Sequence, residues 1–273
     1  MDPAIRWAPA RTYVLKITLS IRPMRLLTGL ALLVFGAVAV RAESLSVAAA
    51  ANFVYALDAI NAEFAKTAPD VTVTCSSGAS GNLVAQIKNG APYDVLLSAD
   101  LDYPQALIKA GQADAKSLTT FAIGRLVLWT TKAEIKITDV AAAVRDPAVR
   151  KLAIANFDTA PYGRAAKQAL EKLGAWTEAQ PKVVTGDNIT QTAQFVETGN
   201  ADAGFVAMSL VLSPKLKNTG RWFEVPAAFY APLEHGAVIT VHGAKNPAAV
   251  RYLQFLRSET AKKILVRFGY GVP

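Results

Sequence analysis

Residues 45–53 read LSVAAAANF, a run of small and apolar residues that ends in an asparagine and a phenylalanine. The run 45–50 predicts a short strand, and Asn52 is a candidate N-cap for the helix that follows. Apolar residues then recur at helical spacing, at Phe53, Leu57, Ile60 and Phe64. The stretch therefore predicts one strand–turn–helix unit with a tight, polar turn.

Three other stretches repeat this character: SSGASG at 76–81, APYG at 160–163 and GDNI at 186–189. Each is small or polar, and each precedes a run with a helical pattern. The first turn of a helix carries N–H groups without an intrahelical partner and the positive end of the helix dipole, so it favours an anion. Four such ends in one cleft would bind a small tetrahedral dianion without a charged side chain.

Apolar strand patterns alternate with these helices along the chain, which predicts βα units and a mostly parallel sheet, the α/β class. Two such blocks are joined by two longer apolar strands, near 126–130 and 237–241. Further strands are predicted at 71–75, 94–98, 152–155, 182–184 and 203–207.

The N-terminus resembles an export signal. A basic residue, Arg25, precedes an apolar segment from Leu26 to Val40, and cleavage is expected after Ala42. The apolar segment is short for a membrane span. Residues 1–42 are therefore interpreted as a signal peptide, within which 1–23 are either a long leading segment or a mis-assigned start before Met24. A soluble periplasmic chain is expected.

Charge and cysteine content narrow the function further. The full chain has a net charge of +8, but six of its basic residues precede Glu43, and the remaining 23 basic and 20 acidic side chains leave +3. This small excess, without a basic cluster, gives no indication of nucleic-acid binding. The single cysteine, Cys75, excludes an intramolecular disulfide, and its strand pattern favours a buried, inert thiol.

The order and spacing of several segments resemble the molybdate-binding proteins (ModA family) of periplasmic ABC import systems. The resemblance covers nearly all of residues 44–273. It rests on 48–53, 76–81, 89–95 with 98–100, 162–163, 173–176 and 203–206.

The resemblance implies a type II periplasmic binding protein, with two α/β lobes and a two-strand hinge. Residues 43–124 with 237–273 would form lobe I, and residues 125–236 would form lobe II. The implied function is capture of molybdate or tungstate and delivery to an inner-membrane ABC permease. No enzyme activity and no cofactor are expected, and a monomer is expected.

The resemblance also implies the site residues. Asn52 and Ser80 would contribute side-chain donors, whereas Ala51 and Ile189 would contribute only the backbone. Tyr162 occupies the position of a further ligand contact in the family. The metal would be held by the same residues, through the oxoanion oxygens. Some relatives carry a ligand-binding tyrosine where this chain has Ala207, and the Tyr162 hydroxyl is a hypothetical replacement.

Each residue also has a plainer interpretation. Asn52 and Asn188 are possible helix caps, Ser80 is a possible loop serine, and Tyr162 and Ile189 are possible core residues.

Two other functions stay open at this stage. A binder of sulfate, phosphate or an organic anion could use the same scaffold, although no arginine clamp lies in the four stretches. A secreted hydrolase would need a nucleophile and a base, and the chain offers only His235 and His242, both near the expected hinge, with no Gly-x-Ser-x-Gly motif around Ser80. Asp100 and Asp102 resemble a metal-binding pair, but they lack a third ligand nearby in sequence.

Overall fold

The strand–turn–helix unit predicted at the start of the chain is present in the computed structural model, which describes residues 43–273. Strand β1 covers Glu43–Ala50, a short 3-10 helix follows at Ala51–Phe53, and helix α1 covers Val54–Thr67. The predicted signal peptide, 1–42, lies outside the described residues.

The first of two mixed sheets has five strands in the order β2-β1-β3-β10-β4. Strand β1 pairs in parallel with β2 and β3, and β10 runs antiparallel between β3 and β4. The other strands of this sheet are β2 (Val71–Gly78), β3 (Val95–Leu97), β4 (Thr119–Gly124) and β10 (Leu233–Ile239).

The second sheet has the order β7-β6-β8-β5-β9. Strand β6 pairs in parallel with β7 and β8, and β5 runs antiparallel between β8 and β9. Its strands are β5 (Leu126–Thr130), β6 (Leu152–Ala155), β7 (Val183–Gly186), β8 (Ala203–Ala207) and β9 (Arg221–Glu224).

Nine more α-helices lie between and after the strands in residues 43–273, and their buried faces fill the core around the sheets. The α-helix that precedes Gly174 ends there, because Gly174 has a φ of 62°, a backbone conformation that favours glycine. The helices are α2 (Ser80–Lys88), α3 (Asp102–Lys109), α4 (Val140–Arg145), α5 (Pro161–Lys172), α6 (Trp176–Ala179), α7 (Ile189–Glu197), α8 (Met208–Val211), α9 (Pro247–Leu256) and α10 (Glu259–Arg267).

The architecture is that of a two-lobed α/β protein, with one sheet in each lobe. The chain passes from the first sheet to the second at Arg125, between β4 and β5, and returns through 225–232, between β9 and β10. Residues 233–236, which were expected in the second lobe, pair with β4 of the first sheet because β10 begins at Leu233. A site between the lobes is therefore close to two chain crossings.

Cys75 differs from its prediction. It lies on β2, the edge strand of the first sheet, and it is exposed rather than buried. The alternating pattern correctly predicted a strand. However, β2 has a neighbouring strand on one side only, so its side chains are less covered than those of a central strand. No helix in residues 43–273 is long and apolar enough to cross a membrane.

Candidate functional site

A small cavity between the two lobes brings the four predicted stretches together. About 200 Å³ of space lies between its walls, part of it open to solvent. All five predicted ligand residues line it, and none of the lining residues carries a charged side chain. The lining residues are Ala50, Ala51, Asn52, Gly78, Ala79, Ser80, Ala99, Ala160, Pro161, Tyr162, Asn188 and Ile189.

The first wall is the 3-10 helix that follows β1. Its first N–H groups, on Ala51 and Asn52, have no partner within the helix, because each would need an acceptor three residues earlier in the same helix. The prediction that Asn52 caps α1 is wrong, since no side chain caps either helix here. The Asn52 side chain instead points into the protein, where Nδ2 lies 2.9 Å from His235 Nε2 and donates to the Tyr270 hydroxyl at 2.8 Å.

The second wall is the N-terminus of α2. Ser80 is the first residue of this helix and is buried. Its hydroxyl oxygen accepts a hydrogen bond from the Ala99 N–H at 3.1 Å. Because that contact uses an oxygen lone pair, the hydroxyl hydrogen stays available to a ligand.

The third wall is the N-terminus of α5. Pro161 occupies its first turn and has no N–H, so Tyr162 is the first residue of the helix with an N–H to offer. The Tyr162 hydroxyl is fully buried and has no hydrogen-bond partner among residues 43–273. Burial raises the pKa of this phenol well above its ordinary value, so the group stays protonated.

The position of the Tyr162 hydroxyl depends on Gly124 at the end of β4. A Cβ on Gly124 would lie 2.2 Å from that hydroxyl oxygen and 2.5 Å from His235 Cε1. Only glycine leaves this space. The hydroxyl is therefore packed against residues of the first lobe that do not line the cavity, next to the chain crossing.

The fourth wall is the N-terminus of α7. The Asn188 side chain accepts hydrogen bonds from the N–H groups of Thr190 and Gln191, so the prediction of a helix cap is confirmed. The cap satisfies the second and third N–H groups of the helix. It leaves the N–H of Ile189, the first residue, as the free donor beside the cavity.

Direct contacts cross between the lobes around the cavity. Gly81 of the first lobe donates its N–H to the Thr159 carbonyl at 2.9 Å. The Thr190 hydroxyl donates to the Ala51 carbonyl at 3.0 Å, and the Ser209 hydroxyl donates to the Asn52 carbonyl at 2.9 Å. The lobes are thus closed over the cavity.

Two oppositely charged side chains that lie close to the cavity wall are paired with each other. The Arg164 guanidinium donates to the Asp100 carboxylate across the two lobes, and Asp102 lies 3.8 Å away from the same side chain. Burial raises the pKa of Asp100 in spite of this neighbour. Within residues 43–273 no cluster of His, Cys, Asp or Glu could hold a metal ion, so the two aspartates belong to an ion-pair network.

The two histidines have different surroundings. His235 is fully buried in β10, and its Nδ1 lies 2.8 Å from the Leu233 carbonyl oxygen. Burial lowers its pKa to about 3, so the ring is neutral near pH 7. His242 is half-exposed and contacts Asp94 at 3.0 Å. Neither histidine contacts a serine hydroxyl, so the described residues contain no serine–histidine pair.

The sequence did not predict three residues that support the site. They are Tyr270, Gly124 and, as a partner of Asn52, His235. His235 and Tyr270 are 183 and 218 residues away from Asn52 in the chain. No local pattern marks such distant pairs.

Comparisons with known proteins agree with this geometry. Residues 45–271 match the family model described as bacterial extracellular solute-binding protein. The chain is 40% identical to the molybdate-binding protein ModA of Azotobacter vinelandii over 236 residues, which cover 86% of this chain and 93% of that protein. It is 39% identical to ModA of Rhodobacter capsulatus over 243 residues, covering 89% and 94%.

The fold has a close match among solved structures. The periplasmic molybdate-binding protein of Azotobacter vinelandii superposes with a TM-score of 0.79 at 35% identity, over 84% of this chain and 99% of that one.

Proposed function

The chain belongs to the bacterial extracellular solute-binding proteins, and within them to the ModA family, and from this premise we propose that it captures molybdate or tungstate for an ABC importer. The observation that carries the proposal is the uncharged cavity on which four helix N-termini meet. Both ligands are tetrahedral dianions near neutral pH. They need several inward-pointing donors and no acceptor.

The donors suffice for tight binding. The free N–H groups at the four helix starts and the Ser80 hydroxyl give about five to seven hydrogen bonds to a charged ligand, each contributing roughly 1.5–3 kcal/mol. After association and closure costs are subtracted, this is compatible with the roughly −12 kcal/mol of nanomolar binding. The aligned dipoles stabilise the charge, and no cation is needed at the cavity wall.

Other anions fit the lining less well. A carboxylate ligand would gain from a bidentate arginine, but Arg164 is paired with Asp100 and does not line the cavity. Hydrogen phosphate would need an acceptor for its proton, and Asp187 does not line the cavity either. Sulfate is smaller than molybdate, so donors placed for the larger anion would leave its hydrogen bonds long.

The remaining parts of the proposal follow from the family. The chain acts in the periplasm, is exported by its N-terminal signal, works as a monomer and delivers its ligand to an inner-membrane permease. It binds without catalysing a reaction, in keeping with relatives that are named as binding proteins.

Titration calorimetry of the purified protein with molybdate, tungstate, sulfate and phosphate tests the proposal. We expect tight binding of the first two and weak or no binding of the others. Tight binding of sulfate or phosphate alone would replace the proposed ligand. Absence of binding to all four would reject an oxyanion function.

A further inference from the structure

Asn52 is the point where hydrogen bonds from three distant parts of the chain converge. Its side-chain Nδ2 contacts His235 of β10 and Tyr270 of the C-terminal segment. Its main-chain carbonyl accepts from the Tyr270 hydroxyl at 3.0 Å and from the Ser209 hydroxyl at 2.9 Å. All three partners are buried or nearly so, so this residue is held from several directions.

The tautomer of His235 determines which way the Asn52 amide faces. A carbonyl oxygen only accepts hydrogen bonds, so the Nδ1 atom that contacts the Leu233 carbonyl must carry the proton. A neutral ring has one N–H, and Nε2 is therefore an acceptor. The group 2.9 Å from Nε2 must be a donor, which identifies it as the Asn52 NH₂ and not its oxygen.

In this orientation both amide hydrogens are in use, and the amide oxygen is buried without a hydrogen-bond partner among residues 43–273. One is directed to His235 Nε2 and the other to the Tyr270 oxygen, whose own hydrogen goes to the Asn52 carbonyl. Reversal of the amide would set its oxygen against the Nε2 lone pair. The Asn52 side chain therefore has no N–H left for a ligand in the cavity.

Aromatic packing reinforces the same arrangement. The Phe53 ring stacks on Tyr270 with centroids 5.0 Å apart, and the edge of His235 meets Phe53 at 4.8 Å. The turn that carries the free main-chain N–H groups of Ala51 and Asn52 thus rests on a rigid base.

We propose that His235 is a positioning residue of the anion site: it holds the Asn52 amide towards the hinge, so that the ligand meets the main-chain N–H groups of this turn and not the side-chain amide. The inference rests on the proposed function for its ligand. It departs from the expectation that Asn52 contributes a side-chain donor, and it assigns a role to a buried histidine outside the cavity wall.

Two substitutions of His235 distinguish the roles of its two ring nitrogens. In His235→Gln the terminal amide oxygen can reach the place of Nε2 and accept from Asn52. In His235→Asn the shorter side chain can reach the Leu233 carbonyl but not Asn52. We expect molybdate affinity within about threefold of wild type for the glutamine variant and a loss of about tenfold for the asparagine variant, which frees one buried amide hydrogen. Equal affinity in the two variants would overturn the proposal.

Nitrogen NMR of the ligand-free protein measures which ring nitrogen of His235 carries the proton. This measurement does not depend on the stability or the affinity of a variant. We expect His235 to show a protonated Nδ1 and an unprotonated Nε2, with a coupling through the hydrogen bond between Nε2 and the Asn52 side-chain nitrogen. The Asn52 signal is assigned by its loss in Asn52→Asp. A protonated Nε2, or an Asn52 amide signal that responds to molybdate as a direct ligand would, overturns the proposal.

The two proposals fail in different ways. If wild type binds no oxyanion, the function is rejected, while the NMR measurement without ligand still decides the role of His235. If wild type binds molybdate and the asparagine variant binds it equally well, only the positioning role is rejected.

Tyr270→Phe keeps the ring stack but loses both hydroxyl contacts. It provides a second variant if His235→Asn does not fold, and we expect it to weaken molybdate binding about tenfold; unchanged affinity would count against the proposal.

Discussion

Arg164 of the second lobe and Asp100 of the first form an ion pair across the closed cleft, beside the cavity but not on its wall. The Asp100 side chain is 11% exposed and the Arg164 side chain is 38% exposed. The pair therefore stabilises the closed arrangement without lining the cavity.

We predict that Arg164→Gln weakens molybdate binding by about 1 kcal/mol, mainly through faster dissociation, because only the closed state loses an interaction. Arg251→Gln is the matched control: Arg251 pairs with Asp70, and both belong to the first lobe. Stopped-flow dissociation at low and high salt checks the prediction. Equal effects of the two variants would contradict a role in closure.

Ser80→Ala removes the hydroxyl donor predicted for the anion at the N-terminus of α2. The hydroxyl oxygen accepts from the Ala99 N–H, so the variant also leaves that N–H unpaired. We expect a loss of about 1.5–3 kcal/mol in molybdate binding by calorimetry. Ser77→Ala, on the exposed part of β2, should bind as wild type does. Unchanged affinity in Ser80→Ala would place the ligand elsewhere.

Tyr162→Phe tests whether the phenol or the backbone of this residue binds the anion. The hydroxyl lies against Gly124 and has no partner, so its removal costs no hydrogen bond in the structure described. We expect affinity within about threefold of wild type and equal or higher thermal stability. A tenfold loss of affinity would restore the hypothesis that the phenol replaces the tyrosine missing at position 207.

Gly124→Ala should act on the same contact by steric means. The added methyl group would lie 2.2 Å from the Tyr162 hydroxyl oxygen, so the lobes cannot close without displacing that ring. We expect at least about a tenfold loss of affinity, because overpacking of a buried contact typically costs 1–3 kcal/mol. Tyr162→Phe in the same chain should recover part of this loss. Absence of any recovery would indicate local damage to β4 instead.

The buried histidine predicts a pH dependence of stability. The pKa of His235 is about 3 in the folded protein and 6.5 in the unfolded chain, so below pH 6.5 the unfolded state binds a proton that the folded state does not. Stability is therefore lost as the pH falls from 6.5 towards 3, by at most about 1.4 kcal/mol per pH unit. Urea unfolding at pH 7, 6 and 5 should show a shallower dependence for His235→Gln. Parallel curves would contradict the assignment.

Much of the fold could be predicted because its signals are local. The βα alternation, the stop at Gly174 and the Asn188 cap each depend on neighbouring residues, and each is present. The five predicted site residues also lie on one cavity. Their predicted contacts with the ligand stay predictions.

Long-range partners could not be predicted, because they depend on the completed fold. Asn52 has the properties of a good helix cap, yet tertiary partners 183 and 218 residues away hold its side chain. The pairing of Arg164 with Asp100 spans 64 residues. The exposure of Cys75 follows from the position of β2 at a sheet edge, which the alternation of its residues does not encode.

That edge position has a practical consequence. Cys75 is the single thiol of the chain, it is exposed, and it lies three residues before Gly78 of the cavity wall on the same strand. A maleimide fluorophore would couple at one defined place, faster in mildly alkaline buffer because burial of part of the side chain raises the thiol pKa. The protein thus carries, without engineering, the attachment point of an optical biosensor for dissolved metal oxyanions.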